Sequence, residues 1–207
     1  MLTRVLCLSF SPRIQVMGIE AKVGPTIWTV GHSNHTLDYF LDLLNQEPKI
    51  TFLVDVRTSP VSSYSPQFNK ETLEKALAKR GISYVHLKGL GGRPSEEFCY
   101  ASDGRVIYDE LESTTSYIND LRALETNARD KICVVMCSCG SPEHCHRNLS
   151  ISYKLVEHGF QVIDILPDGI REPGRPPIVE DTLFGDKEVR KSKLPVRQTT
   201  TPNNFSL

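Results

Sequence analysis

The chain has 207 residues, 39% of them hydrophobic and 24% charged, a composition that sustains a packed core and excludes wholesale disorder. Its 24 basic and 25 acidic residues leave a formal charge of -1, so no overall field steers it to nucleic acid or to an anionic membrane. No apolar run approaches the roughly 18 residues of a bilayer span, and three of the six cysteines crowd between Cys137 and Cys145, unlike a disulfide framework, so a reducing, cytoplasmic setting with no membrane partner is expected.

Residues 1–24 hold Arg4, Arg13 and Lys22 against Glu20 alone, and the apolar stretch Val5 to Phe10 is too short for a signal segment. They read as an extension outside the fold, with Met17 a second plausible start. Thr26 to Val30 reads as a strand ending at Gly31. Thr36 is placed to cap a helix with Leu37, Phe40, Leu41 and Leu44 on its apolar face. Ile50 to Val56, apolar almost throughout, reads as a central strand. Asn69 opens a helix carrying Leu73, Ala76 and Leu77, with Gly81 at its C′ position. Ile82 to His86 is a third strand. A helix with Tyr117, Ile118, Leu121 and Leu124 leads to a fourth strand, Lys131 to Met136. A helix from about Cys145 to His158 ends at Gly159, and Phe160 to Leu166 forms a fifth strand. Beyond Asp168, proline density and lost periodicity mark a basic tail. The expectation is one three-layer α/β domain over 25–170, a mostly parallel sheet of about five strands with helices on both faces, followed by a tail over 171–207.

Each predicted strand runs into a polar loop: Gly31 to His35, Arg57 to Pro60, Leu87 to Pro94, Cys137 to His144 and Pro167 to Gly169. In a parallel sheet these loops share one edge, where ligands bind. Cys145, His146 and Arg147 sit at a predicted helix start, where free N–H groups favour a thiolate at Cys145 and an anion beside it. Arg147 then offers a bidentate fork. The alternative packs Cys145 under the loop and pairs Arg147 with Asp55. Asp55 either orients His32 or His146, or acts as a base near Cys145, or simply satisfies loop N–H groups and an arginine. Gly31 permits close backbone approach by a ligand, which would bring it to His32 and Ser33. Gly91, Gly92 and Arg93 form a turn able to cradle an anion, and Arg57 supplies a second clamp. Phe68 is expected to staple the following helix, and Cys133, Cys7 and Cys99 lie away from the site.

Cys137, Cys139, Cys145 and His146 are residue types that bind zinc, although their spacing lacks the paired Cys-x2-Cys knuckle and no metal site is favoured over a nucleophile. A phosphatase loop requires a cysteine six residues before its arginine, and position 141 is serine. A rhodanese-like cysteine after a central strand fits Cys137 or Cys139 only loosely.

The ordered motifs TIWTVGHSN, VDVRTSPVSSYSPQFN, GISYVHLKGLGGRP, VVMCSCGSPEHCHR and IDILPDG resemble the domain of unknown function 488 family over about 26–170. Ser63 stands where that family often has arginine, and Cys139 where glutamate is common. The resemblance implies an α/β domain and no established activity. The residues themselves point to an enzyme acting on a small anionic, phosphate-bearing or nucleic-acid-related substrate. Cys145 would be the nucleophile, His32, His146 and Asp55 the acid/base groups, and Ser33, Arg57, Gly91, Gly92, Arg93 and Arg147 the binding groups. The alternatives are a non-catalytic ligand or nucleic-acid binding module, and a structural Cys/His metal domain.

Overall fold

The computed structural model describes residues 24–174. The expected extension over 1–24, apart from Gly24, and the expected tail beyond 174 lie outside the described residues. The elements in chain order are β1 (Thr26–Gly31), α1 (Leu37–Leu44), β2 (Phe52–Asp55), α2 (Lys70–Lys79) and β3 (Ser83–His86). They continue with α3 (Tyr108–Ser113), α4 (Thr115–Asp130), β4 (Cys133–Cys137), α5 (Tyr153–Glu157), β5 (Gln161–Ile165) and β6 (Arg171–Pro173). No helix among them is long and apolar enough to cross a membrane.

Local chemistry sets several boundaries. The Thr36 hydroxyl accepts the Tyr39 N–H and starts α1, a cap worth about 1 kcal/mol. Gly81 takes φ 73° just beyond α2, the left-handed turn that glycine adopts without a Cβ penalty. Within the described chain the expected elements appear with shifted ends, and, besides short 3-10 turns, three features are additional. The short helix α3 precedes α4. Arg147–Ser152 is a π-helix leading into α5, where periodicity suggested one uninterrupted α-helix from Cys145; six residues are too few for a pattern to separate the two repeats. Arg171–Pro173, assigned to the tail, pairs antiparallel with β5 through Arg171 and Ile165, so the sheet has six strands.

Strand order is β3-β2-β4-β1-β5-β6, parallel except at β6. The chain leaves β1, steps past the place β4 will fill, builds β2 and β3, then returns to insert β4. Right-handed crossovers therefore put α1 and α2 on one face and α3 to α5 on the other. The two core clusters follow that division. Phe40, Leu44, Leu73 and Leu77 pack with Trp28, Val30 and Leu53 on one side. Leu111, Tyr117, Leu124 and Leu155 pack with Ile27, Val135 and Val162 on the other. β4 carries alternate side chains into both cores and is wholly buried, which is why it reads as continuous apolar sequence.

Candidate functional site

The carboxyl ends of β2, β4 and β1 lie side by side where the crossovers reverse direction, the place an α/β sheet opens for a ligand. Backbone bonds extend the ladders beyond the strands: His32 N donates to the Cys137 carbonyl (2.9 Å) and Val56 N to the Met136 carbonyl (3.0 Å). The ends of three strands thereby bring together residues 80 and 105 positions apart.

At their meeting point the sulfurs of Cys137, Cys139 and Cys145 all lie within 4.8 Å of one another, with Cys137 and Cys145 3.0 Å apart. The first and last thiols are buried and Cys139 is partly exposed. His146 closes the group: Nδ1 is 3.8 Å from the Cys145 sulfur, and Nε2 is 3.2 Å from the Val56 carbonyl. A carbonyl can only accept, so Nε2 carries the proton and the Nδ1 lone pair faces sulfur. Arg147 is fully buried. Its Nη1 donates to the Cys137 sulfur (3.5 Å) and Nη2 to the Gly140 carbonyl (3.2 Å), while Nε has no partner.

Among the three neighbouring thiols, the surroundings favour ionisation at Cys139 rather than at Cys145. Burial pushes Cys137 up to about 11. Hydrogen bonding with Cys137 and Cys139, together with burial, raises Cys145 well above the ordinary thiol range. Hydrogen bonds with the Cys137 and Cys145 thiols, together with the nearby Arg147 charge, hold Cys139 far below that range in spite of its burial. The physical reason is the placement of Cys145 in the loop before the π-helix, under a neighbouring sulfur rather than in a ring of N–H groups. Arg147 is committed to sulfur and a loop carbonyl and does not pair with Asp55.

Asp55 instead holds Arg57. Its Oδ1 accepts the Arg57 N–H (3.0 Å) and Nε (2.9 Å), and its Oδ2 accepts Nη2 (2.6 Å) and the Tyr84 hydroxyl (2.8 Å). Arg57 Nη2 also donates to the Phe68 carbonyl (2.8 Å), and Nη1 lies 3.3 Å from His32 Nε2. His32 donates through Nδ1 to the Ser33 carbonyl (2.8 Å) and accepts from Arg57 through Nε2, and its ring stacks on Phe68 at 4.4 Å. Burial lowers the His32 pKa against the raising effect of the Ser33 carbonyl, and the Arg57 charge lowers it further. The carboxylate expected as a base thus accepts from Arg57 and Tyr84 and the imidazole from Arg57, and Arg57, buried in this network, is positioned as a structural tie between β2, the β1 loop and the turn before α2. Breaking such a buried pair costs about 3–5 kcal/mol.

Two glycines serve the cluster directly. A Cβ on Gly31 would lie 1.5 Å from the Cys139 carbonyl oxygen and 2.9 Å from Arg147 Nη1, so the close approach expected for a ligand is made by the protein's own loop. A Cβ on Gly92 would meet His146 Cγ at 2.7 Å. Ser33 adopts φ 48° and its hydroxyl donates to Asn34 (3.3 Å). Arg93 is exposed; with Thr58, Lys88, Gly89, Gly91 and Glu96 it lines a cavity of about 340 Å³, beside the cluster rather than over it. A smaller cavity of about 220 Å³, lined by Glu112, Glu125, Lys154 and His158, contains none of the expected site residues. Tyr84 and the Val56 carbonyl escaped sequence reasoning: a lone tyrosine on a strand and a main-chain oxygen carry no local signal.

The family profile described as domain of unknown function DUF488 matches residues 36–153. The chain belongs to this family. The match runs from the cap of α1 to the first residue of α5 and includes the three clustered cysteines, His146 and Arg147. Among curated proteins and among solved structures, no match was found.

Proposed function

We propose that this DUF488-family domain carries a transition-metal centre of the zinc class, with Cys137, Cys139, Cys145 and His146 as its four ligands. The observation that carries the reading is the convergence of three sulfurs within 4.8 Å of one another, with His146 Nδ1 3.8 Å from the Cys145 sulfur and its other nitrogen held by the Val56 carbonyl. Ligand histidines characteristically give that second N–H to a carbonyl or carboxylate. Tetrahedral zinc–sulfur bonds of about 2.3 Å place sulfurs about 3.8 Å apart, so Cys137 and Cys145, at 3.0 Å, need only part slightly. Three thiolates and an imidazole fill a tetrahedron, the pattern of a closed, structural site. The ion would fasten the two ends of the β4 loop to each other, Cys137 and Cys139 to Cys145 and His146, while the His146 bond to the Val56 carbonyl ties that loop to the end of β2. A nucleophilic Cys145 is supported less well, because its sulfur is buried and its thiol is pushed upward.

The test is metal per chain in protein purified without chelator or affinity metal. About one zinc or iron per chain is expected for a four-ligand site; no metal, with all the thiols titrating free, overturns the reading.

A second reading concerns the neighbouring cavity, where Lys88 and Arg93 reach its lining without a side-chain partner among the described residues. We propose that it takes a small phosphate-bearing ligand or nucleic-acid end, with Arg93 supplying the fork and the Gly91–Gly92 turn linking the cavity to His146. Titration with a nucleoside monophosphate, in wild type and Arg93→Ala, tests it: equal binding by both sinks the assignment.

A further inference from the structure

Arg147 is unusual among the buried side chains. It is the largest that is fully inaccessible, it is permanently charged, and it has no carboxylate partner among the described residues. Asp164, the acidic group in its electrostatic neighbourhood, is engaged by the Thr29 hydroxyl and makes no hydrogen bond to Arg147. The direct contact is sulfur: Nη1 on Cys137, with Nη2 on Gly140 in the same loop. A buried guanidinium is strongly unfavourable unless it is compensated, and here the compensation comes from the sulfurs beside it and, without a hydrogen bond, from Asp164.

Resting on the metal reading above, we infer that Arg147 is the built-in counter-charge of the centre and makes it specific for a divalent ion. Three thiolates and a neutral imidazole carry three negative charges. A divalent ion leaves one, which the guanidinium cancels. A trivalent ion would leave the buried group with a net positive charge, and a monovalent ion with a net negative one. Without Arg147 the same four ligands would be balanced by a trivalent ion instead. The Nη1 bond to Cys137 also withdraws charge from that sulfur, as outer-shell donors to thiolates do. Arg147 is therefore a specificity-determining residue that acts through the ligands and touches no ion itself.

The charge logic predicts a rescue that a purely structural role does not. In Arg147→Gln the ion–ligand group keeps an uncompensated negative charge, and zinc affinity falls about 10- to 100-fold. In Cys139→His, two thiolates and two imidazoles neutralise zinc by themselves, so Arg147 becomes a surplus buried cation and affinity falls as well. Cys139 is the partly exposed ligand, the one of the three whose replacement disturbs the buried packing least. Combining the two changes restores neutrality, and the double variant binds zinc at least about tenfold more tightly than the losses of the two singles predict when added. Zinc affinity of the full chain is read by competition with a chromophoric chelator, and cobalt absorption reports the ligand set. Additive losses in the double variant overturn the inference while leaving the metal reading intact. A wild-type chain that binds no zinc overturns the metal reading itself. Should Arg147→Gln not fold, Arg147→Lys carries the test: the charge is kept and the fork lost, so zinc affinity near that of wild type is expected, and a loss of about tenfold overturns the inference.

Discussion

Gly31→Ala tests how closely the loop after β4 is fitted to the sheet. Gly31 ends β1 and lies in register with Cys137. A methyl group there would stand 1.5 Å from the Cys139 carbonyl oxygen, 2.6 Å from its carbon and 2.9 Å from Arg147 Nη1. Two of those three atoms are main chain, so no side-chain rotation relieves the contact. The carbonyl must retreat by roughly 2 Å to reach ordinary van der Waals distance, and the Cys139 sulfur travels with it. Metal–ligand distances tolerate about 0.2 Å, so at the proposed centre the variant would lose a ligand rather than strain one. Zinc affinity should fall by about 100-fold or more, beyond the effect of an outer-shell change. Forcing the methyl into a packed edge should also cost the metal-free protein about 1–3 kcal/mol. Chelator competition measures the first and urea unfolding of metal-free protein the second. A variant that binds zinc and unfolds as wild type does would refute the described position of the Cys139 carbonyl.

Iodoacetamide at pH 7 on reduced, metal-free protein should label Cys139 before Cys137 and Cys145, because that sulfur is partly exposed and shifted toward the thiolate while the other two are pushed upward. Peptide mapping reads the order, and Cys145 reacting first would return the thiolate to the position its sequence suggests. His32, whose pKa is lowered mainly by burial, is neutral in the fold and gains its proton more readily when unfolded. Its contribution to stability is therefore present above about pH 6.5 and lost as pH falls below it toward the lowered folded value. Urea unfolding from pH 7.5 to 5 should show that decline, and His32→Gln should flatten it; equal slopes in the two proteins would sink the argument.

Local signals were sufficient for the secondary structure. Thr36 as a cap, Gly81 and Gly159 as helix stops, and the apolar periodicity of α1, α2 and α4 report interactions within a few residues of chain. The continuous apolar stretch of β4 announced a strand buried on both faces, and the recurrence of polar loops after strands announced that those loops would share one edge of the sheet. The failures have the same physical origin. Three residues at the start of a supposed tail form β6 only because β5 offers them a free edge, and a π-turn over six residues leaves no periodic trace.

The amino-acid sequence by itself determined which residue types would crowd the carboxyl edge: three cysteines, His146, Arg147, Asp55, Arg57 and His32. Only the tertiary structure decided who partners whom. Inserting β4 between β1 and β2 sets Cys137 beside Gly31, brings His146 to the Val56 carbonyl and leaves Asp55 to Arg57 and Tyr84. Arg147 is left to sulfur. Hydrogen bonds and burial are settled over distances of about 3 Å, whereas these partners are separated by tens of residues of chain. Sequence periodicity carries no memory of strand order, and strand order is what turns a list of reactive side chains into one centre.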